Sequence, residues 1–337
     1  MTNKLPIINN FPMTMLAQMD DVAVFQTAAF APNNTDEPAA ASQQRGFNSQ
    51  TNHQANYGAL NLGLHVNDDA AKVLDNRMSL LAAINAQMAN ESSQTEQHIA
   101  IHSLHWVSQV HGKQIHDIDT TPLSMAPMAA DAIISKQSGR GLAIMTADCV
   151  PIVLYQPASG KIAAIHAGWQ GLACGVIRET VERFTDSGSV QAWIGVCISQ
   201  ANYEVGHQVR DQLLAGCLDN QLLTASDSDS FDSLYVMRSD SGLENHSDTQ
   251  HLDKTVDKLS NCATVHTDKV KLNLPKLAAD QLTAAGVSID NKEPISCSYA
   301  DRHYYSYRRQ THMQQPATGR MALVIVRRAA TQISADN

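Results

Sequence analysis

Short apolar runs broken by turn residues organise the middle of this 337-residue chain. Within residues 131–171, LAIMTA (142–147), VPIVLY (150–155) and KIAAIHA (161–167) are rich in Ile, Val, Leu and Ala and read as buried strands. Upstream, VAVFQTAAF (22–30) reads as a first strand, LNLGLHV (60–66) as an extended segment, and the alternating IAIHSLHWVSQVHG (99–112) as another strand. Ala70, Val73, Leu74, Arg77 and Leu81 recur at helical spacing, so a helix is expected over 70–88, capped by Asp68 or Asp69. Downstream, 172–188 reads as an amphipathic helix, 190–199 as a strand, NYEVGHQVRDQLLAG (202–216) as the start of a helix, 272–287 as a helix with Pro near its start and Gly at its end, and 321–327 as a closing strand. Strands alternating with helices, several strands being adjacent in sequence, predict an α+β or mixed α/β fold.

Polar segments interrupt this pattern. Residues 31–56 are almost free of large aliphatics, 89–97 form a polar gap, and 218–268 are rich in Ser, Asp, Asn and Thr. Such segments bury too little to fix themselves, so 31–56 is expected as a mobile loop and 218–268 as a surface insertion holding short helical pieces. The tail 329–337 is expected to be disordered. The whole chain is expected to be one domain with its core over about 20–328.

Hydrophobic residues make up 43% and charged residues 17%, a soluble globular balance. The net charge of −9 argues against a nucleic-acid surface, which needs a basic face. No run approaches the ~18–20 apolar residues of a membrane span. The N-terminal stretch reads as no secretory signal. Six cysteines without CxxC spacing fit a reducing cytoplasm better than a disulfide framework.

The candidate chemistry sits at strand ends, where sites tend to be built. Cys149 lies between two apolar runs just after Asp148, His166 ends the third run before Gly168, and His111 stands in QVHG. Two imidazoles and one thiolate suit a catalytic zinc, which takes three protein ligands and keeps one position open. The separations, 149 − 111 = 38 and 166 − 149 = 17, resemble no zinc-finger spacing. On spacing alone a buried apolar thiol and satisfied core histidines are the stronger reading. Copper also accepts two His and one Cys. Cys149 as a nucleophile, with His166 or His111 as base and Asp148 or Asn61 behind it, is a third reading. Arg308, Arg309 and Arg320 stand near Tyr304, Tyr305 and Tyr307, where guanidinium forks could take an anion. HExxH, Walker A, GxSxG, GxGxxG and the zinc nucleobase-deaminase signature are absent.

Taken together, LNLGLHVNDD, QVHG, ADAIIS, TADCVPIVLY, IAAIHAGW, WIGVCIS with YEVG, LAADQLTAAGV, and YSYRR with TGRMA resemble the laccase-domain family. Its members are also described as multicopper polyphenol oxidase-like proteins and as purine nucleoside phosphorylases. The likeness runs from about 57 to 327, broken by 218–268. It implies that His111, Cys149 and His166 are metal ligands, overturning the core reading. It also implies a compact single domain of central mixed sheets flanked by helices. The implied activities are phosphorolysis of adenosine, inosine, guanosine or methylthioadenosine and deamination of adenosine, with zinc. Copper-dependent oxidation of phenols, or editing or binding of cell-wall precursors, is the alternative. Asp148 and Glu204 are then the proton-transfer candidates, and Asn61, Arg45 and Arg308 the substrate or anion candidates; a purine nucleoside and phosphate are the expected ligands. Two departures bear on this. Gln170 stands where the family reads HAGWRG, and the early family arginine is either lost after Thr27 or displaced to Arg45. The oligomeric state is not readable.

Overall fold

A computed structural model describes residues 11–31, 55–90, 100–121, 126–238 and 269–328. Arg45, most of the 31–56 loop, most of the 89–97 gap, the 239–268 part of the insertion and the tail 329–337 lie outside the described residues.

In chain order the elements are β1 (Met13–Met19), β2 (Val22–Thr27), α1 (Ala70–Asn90), β3 (Ser103–His105), β4 (Ile115–Asp117), β5 (Ala132–Ser135), β6 (Arg140–Thr146), β7 (Val150–Gln156), β8 (Lys161–Ala167), α2 (Trp169–Cys174), α3 (Val176–Val181) and β9 (Val190–Ile194). There follow β10 (Glu204–Gly206), α4 (His207–Asp219), α5 (Ala225–Asp229), α6 (Phe231–Tyr235), β11 (Val236–Arg238), β12 (Lys269–Leu272), α7 (Leu274–Ala284), β13 (Val287–Ile289), α8 (Tyr307–His312) and β14 (Met321–Arg327). They build a five-stranded sheet, β1-β2-β14-β6-β3, a six-stranded sheet, β13-β9-β7-β8-β5-β4, and a small sheet, β10-β12-β11. Pairing is antiparallel except for β3 with β6, β4 with β5 and β13 with β9, so the two large sheets are mixed, as expected.

The uninterrupted apolar runs follow from burial on both faces. Leu323 and Ile325 of β14 meet Val153, Ile162 and Trp193 between the two large sheets. Ala322, Val324 and Val326 of the same strand face Leu80 and Ile84 of α1. On the far side, Ile152 and Leu154 of β7 pack with Leu172, Ile177, Leu277 and Leu282 from α2, α3 and α7. Helix, sheet, sheet and helices thus stack in four layers. No helix among the described residues is long and apolar enough to cross a membrane.

Several expectations are corrected. β1 has no counterpart in the sequence reading; it is an edge strand whose residues are mostly half-buried. Among the described residues of 99–112 only Ser103–His105 forms a strand; Ser108 adds an isolated bridge to Ala129, and the amides of 110–112 go to the Asp131 side chain. The 172–188 helix starts earlier, at Trp169, and is broken by Gly175, whose φ of 85° no continuing helix adopts. The strand expected over 190–199 ends at Ile194, and 60–66 is irregular. Helix α1 forms as expected, with Asp69 accepting from the Ala71 and Lys72 amides. Its inward stripe, however, is Val73, Leu80, Ile84 and Met88, while Leu74 is half exposed. The insertion holds packed structure, since Phe231 and Tyr235 are buried in the core.

Candidate metal centre and ligand cavity

Cys149 lies where the chain leaves one large sheet for the other. β6 belongs to the five-stranded sheet and β7 to the six-stranded sheet, and only residues 147–149 connect them. So abrupt a crossing needs an unusual backbone. Asp148 has φ 114°, a left-handed value that a residue with a Cβ adopts only under constraint. The constraint is visible. The Asp148 carbonyl accepts from Ile198 N (2.9 Å), one carboxylate oxygen accepts from Ser298 Oγ (2.7 Å), and the other accepts from Arg308 N (2.7 Å).

His166 is the penultimate residue of β8, and its Nδ1 lies 2.9 Å from Asp131 Oδ1, both side chains being fully buried. Asp131 also gathers the loop that carries His111. Its oxygens accept from the amides of Val110 (3.3 Å), His111 (2.8 Å) and Gly112 (2.6 Å). This holds His111 at φ 60°. Gln109 pins the same loop to β6, donating to Met145 O (2.7 Å) and accepting from Met145 N (2.9 Å).

The three side chains converge. The ligand atoms of His111, Cys149 and His166 all lie within 4.8 Å of one another, and the imidazoles meet edge to face with centroids 4.7 Å apart. Burial alone would raise the Cys149 thiol, but the His166 charge and hydrogen bonds from both imidazoles draw it down to about 6. Burial would lower His166, yet the Cys149 charge and the Asp131 bond lift it to about 9. Asp131, which burial would raise, is held below the ordinary carboxylate range by the His166 bond and the loop amides. A thiolate facing imidazoles, with a carboxylate behind one ring, is the donor set and outer support that zinc prefers. Bonds of about 2.0–2.3 Å at tetrahedral angles need ligand atoms roughly 3.5 Å apart, a separation on the scale of this triad, so its residues fit a zinc ion. Gly168 permits the approach, because a Cβ there would stand 3.1 Å from Cys149 Sγ and 3.3 Å from the His111 ring.

The triad forms one wall of a cavity of about 600 Å³, which also presents His65, Gln170, Tyr203, Tyr307, Arg308 and Arg320. Arg308 lies over the Tyr203 ring, 5.4 Å from its centroid, and donates to Glu204 O (2.5 Å). Arg320 donates to Thr318 O and Gly319 O, each at 3.1 Å. Among the described residues neither guanidinium has a carboxylate within 4.0 Å. The buried Thr146 hydroxyl on the same wall has no hydrogen-bond partner among the described residues.

Asp148 lines the cavity and is its one carboxyl among the described residues, with its acidity weakened first by burial. Glu204 does not line it: that carboxylate pairs with Lys269 Nζ (2.9 Å) across the small sheet, and its carbonyl accepts from Arg308. Asn61 is fully buried and does not line the cavity either. Its oxygen accepts from Gly63 N and Arg320 N, and its amide donates to Asp68, so it positions Arg320. Arg309 is committed to the carbonyls of Ser298, Tyr299 and Tyr304. Asp131 and His65 carried no role in the sequence reading. The available signal for Asp131 was a single acid directly before the buried strand AIIS, where burial demands partners.

Residues 44–238 and 242–328 match the family described as multi-copper polyphenol oxidoreductase laccase. "Purine nucleoside phosphorylase YfiH" of Escherichia coli is 38% identical over 160 residues, 47% of this chain and 59% of that protein. A purine nucleoside phosphorylase of Pseudomonas aeruginosa is 34% identical over 163 residues, 48% of this chain and 59% of its own length. The alignments therefore span little more than half of those relatives. Among solved structures, a Neisseria meningitidis protein of the DUF152 family superposes with a TM-score of 0.60 at 22% identity, covering 94% of this chain and all of that one. A hypothetical protein YfiH of Bacillus licheniformis gives 0.61 at 21% identity, covering 95% and 98%.

Proposed function

The chain belongs to the multi-copper polyphenol oxidoreductase laccase family, and on that premise we propose that it is a zinc-dependent purine nucleoside phosphorylase that also deaminates adenosine. The observation that carries this reading is the pairing, in one cavity, of a triad able to hold a metal with two guanidinium groups that have no carboxylate partner among the described residues. The names of the relatives supply the substrate class.

His111, Cys149 and His166 would hold the zinc, which supplies Lewis acidity and a bound water of near-neutral pKa. Arg308 and Arg320 bind phosphate, taking the place of the arginine that Gln170 replaces. Tyr307 and Trp169, both on the cavity wall, offer ring faces to the purine. Asp148, whose carboxyl burial makes a weaker acid than usual, is the proton-transfer group for the leaving base. The Thr146 hydroxyl takes a ligand hydrogen bond. Among the described residues one cluster of metal-ligating side chains exists, which favours a single ion over the several sites that copper-based phenol oxidation needs.

Purified protein is given adenosine with and without phosphate, and adenine, ribose 1-phosphate and inosine are followed. Phosphate-dependent adenine release that disappears in Cys149→Ala is expected. No product, or a Cys149→Ala variant equal to the parent, overturns the reading.

A further inference from the structure

Behind the cavity wall stand two thiols that this chemistry does not use. Cys197 and Cys297 face each other in an isolated parallel bridge, 100 positions apart in sequence (297 − 197). Ser298 N donates to Cys197 O (2.9 Å), which locks the two segments together. Paired backbones at a sheet spacing of ~4.8 Å fall inside the ~4.4–6.8 Å window that a disulfide spans. Both thiols are free. Their surroundings differ. Cys197 is fully buried, whereas Cys297 is partly exposed, and its sulfur accepts from Ser199 N (3.3 Å) and Asn202 Nδ2 (3.3 Å).

We propose that Cys297 and Cys197 form an oxidant-responsive dithiol, with Cys297 as the attacking thiol and Cys197 as its resolving partner, taking hydrogen peroxide as the co-reactant. Burial would raise the Cys297 thiol, but donation from the Ser199 hydroxyl and amide, the Ala300 amide and Asn202 brings it below the ordinary value. Burial pushes Cys197 well up, so it waits as the thiol. In the first step the Cys297 thiolate attacks a peroxide oxygen. The O–O bond breaks, and hydroxide leaves and takes up a proton as water. In the second step Cys197 sulfur attacks the sulfenyl sulfur and gives up its proton. The S–O bond breaks, the S–S bond forms, and the departing hydroxide leaves as a second water. One peroxide is reduced by two electrons and two thiols are oxidised to one disulfide.

The dithiol is wired to the cavity. Ile198, next to Cys197, donates to the Asp148 carbonyl, and Ser298, next to Cys297, donates to the Asp148 carboxylate. Oxidation therefore ties together the two segments that hold the strained residue beside Cys149. The inference does not depend on the proposed reaction, and its test reads mass rather than turnover.

The full-length protein is reduced, desalted, exposed to hydrogen peroxide, alkylated and digested without reductant. A cross-linked peptide pair joining Cys197 to Cys297, lighter by two hydrogens than its separate parts, is the expected product. In Cys197→Ser, Cys297 should carry a dimedone-trapped sulfenic acid; in Cys297→Ser the cross-link should vanish and Cys197 should stay unmodified. The inference falls if Cys297 of the wild-type chain remains reduced while Cys149 or Cys174 is oxidised. It falls equally if Cys297 is oxidised and no cross-link to Cys197 forms. Both of these outcomes are read on unsubstituted protein, so neither depends on whether a variant folds.

Discussion

Asp131 is the residue on which both imidazoles of the candidate metal triad depend. It holds one imidazole by its side chain and carries the other on a loop whose amides it binds. Removing the carboxylate leaves three amide donors and a buried imidazole without their acceptor. Breaking a buried charged pair of this kind costs about 3–5 kcal/mol, so Asp131→Ala should lower urea-unfolding stability by that order. Asp131→Asn is the sharper test. The shape survives, but whichever oxygen becomes an amide nitrogen then faces two donors, and zinc affinity in competition with a chromophoric chelator should fall roughly 10–100-fold, with a smaller loss of stability than in Asp131→Ala. Gly168→Ala asks the opposite question. The added methyl presses on Cys149 and His111 rather than on the core, so zinc affinity should fall while circular dichroism and the denaturation midpoint stay near wild type.

At the scale of elements, α2 has its first turn on the cavity wall and ends at the break before α3. Gly175 sits at φ 85°, and its Cβ position lies 3.1 Å from Leu222. Gly175→Ala should destabilise by about 1–2 kcal/mol from the left-handed backbone alone, read as a shift in chemical denaturation. The same break shows why parts of the fold were legible and others were not. β6, β7, β8 and β14 are buried on both faces, so they announce themselves as continuous apolar runs. β1 pairs along one edge only and mixes Thr and Gln with Met, so no run marks it. The segment 106–112 alternates like a strand, yet Ser108 makes only an isolated bridge and the amides of Val110, His111 and Gly112 go to Asp131, a partner 19–21 residues away that no local pattern reveals. The triad was legible because Cys149 and His166 stand at strand ends and because the motifs around all three residues resemble a family. The commitments of Glu204 to Lys269 and of Asn61 to Arg320 are tertiary facts, and spacing carries no trace of them.

For the molecule as a whole, the site lies on the seam between the two large sheets, and the layers share their strands. We propose on that basis that the chain unfolds as one unit with a single calorimetric transition. An ion that binds only the folded state adds RT ln(1 + [L]/Kd), about 4 kcal/mol at a thousandfold excess over Kd. Chelation should therefore move that one transition downward rather than split it, and zinc should restore it. Two equally buried core residues then separate stability from site geometry. Ile144 lies between the sheets and Ile84 on the outer helix. Either change to Ala should cost about 2–5 kcal/mol, since each leaves a cavity in a close-packed layer. Ile84→Ala removes packing on the far face of the five-stranded sheet, so the folded protein should keep its zinc affinity. Ile144→Ala loosens the sheets beside the 147–149 crossing, so Cys149 should drift from the imidazoles and zinc affinity should fall as well. Equal zinc affinities in the two folded variants, measured by the same chelator competition, would show that the triad is fixed locally by Asp131 and owes nothing to the packing of the two sheets.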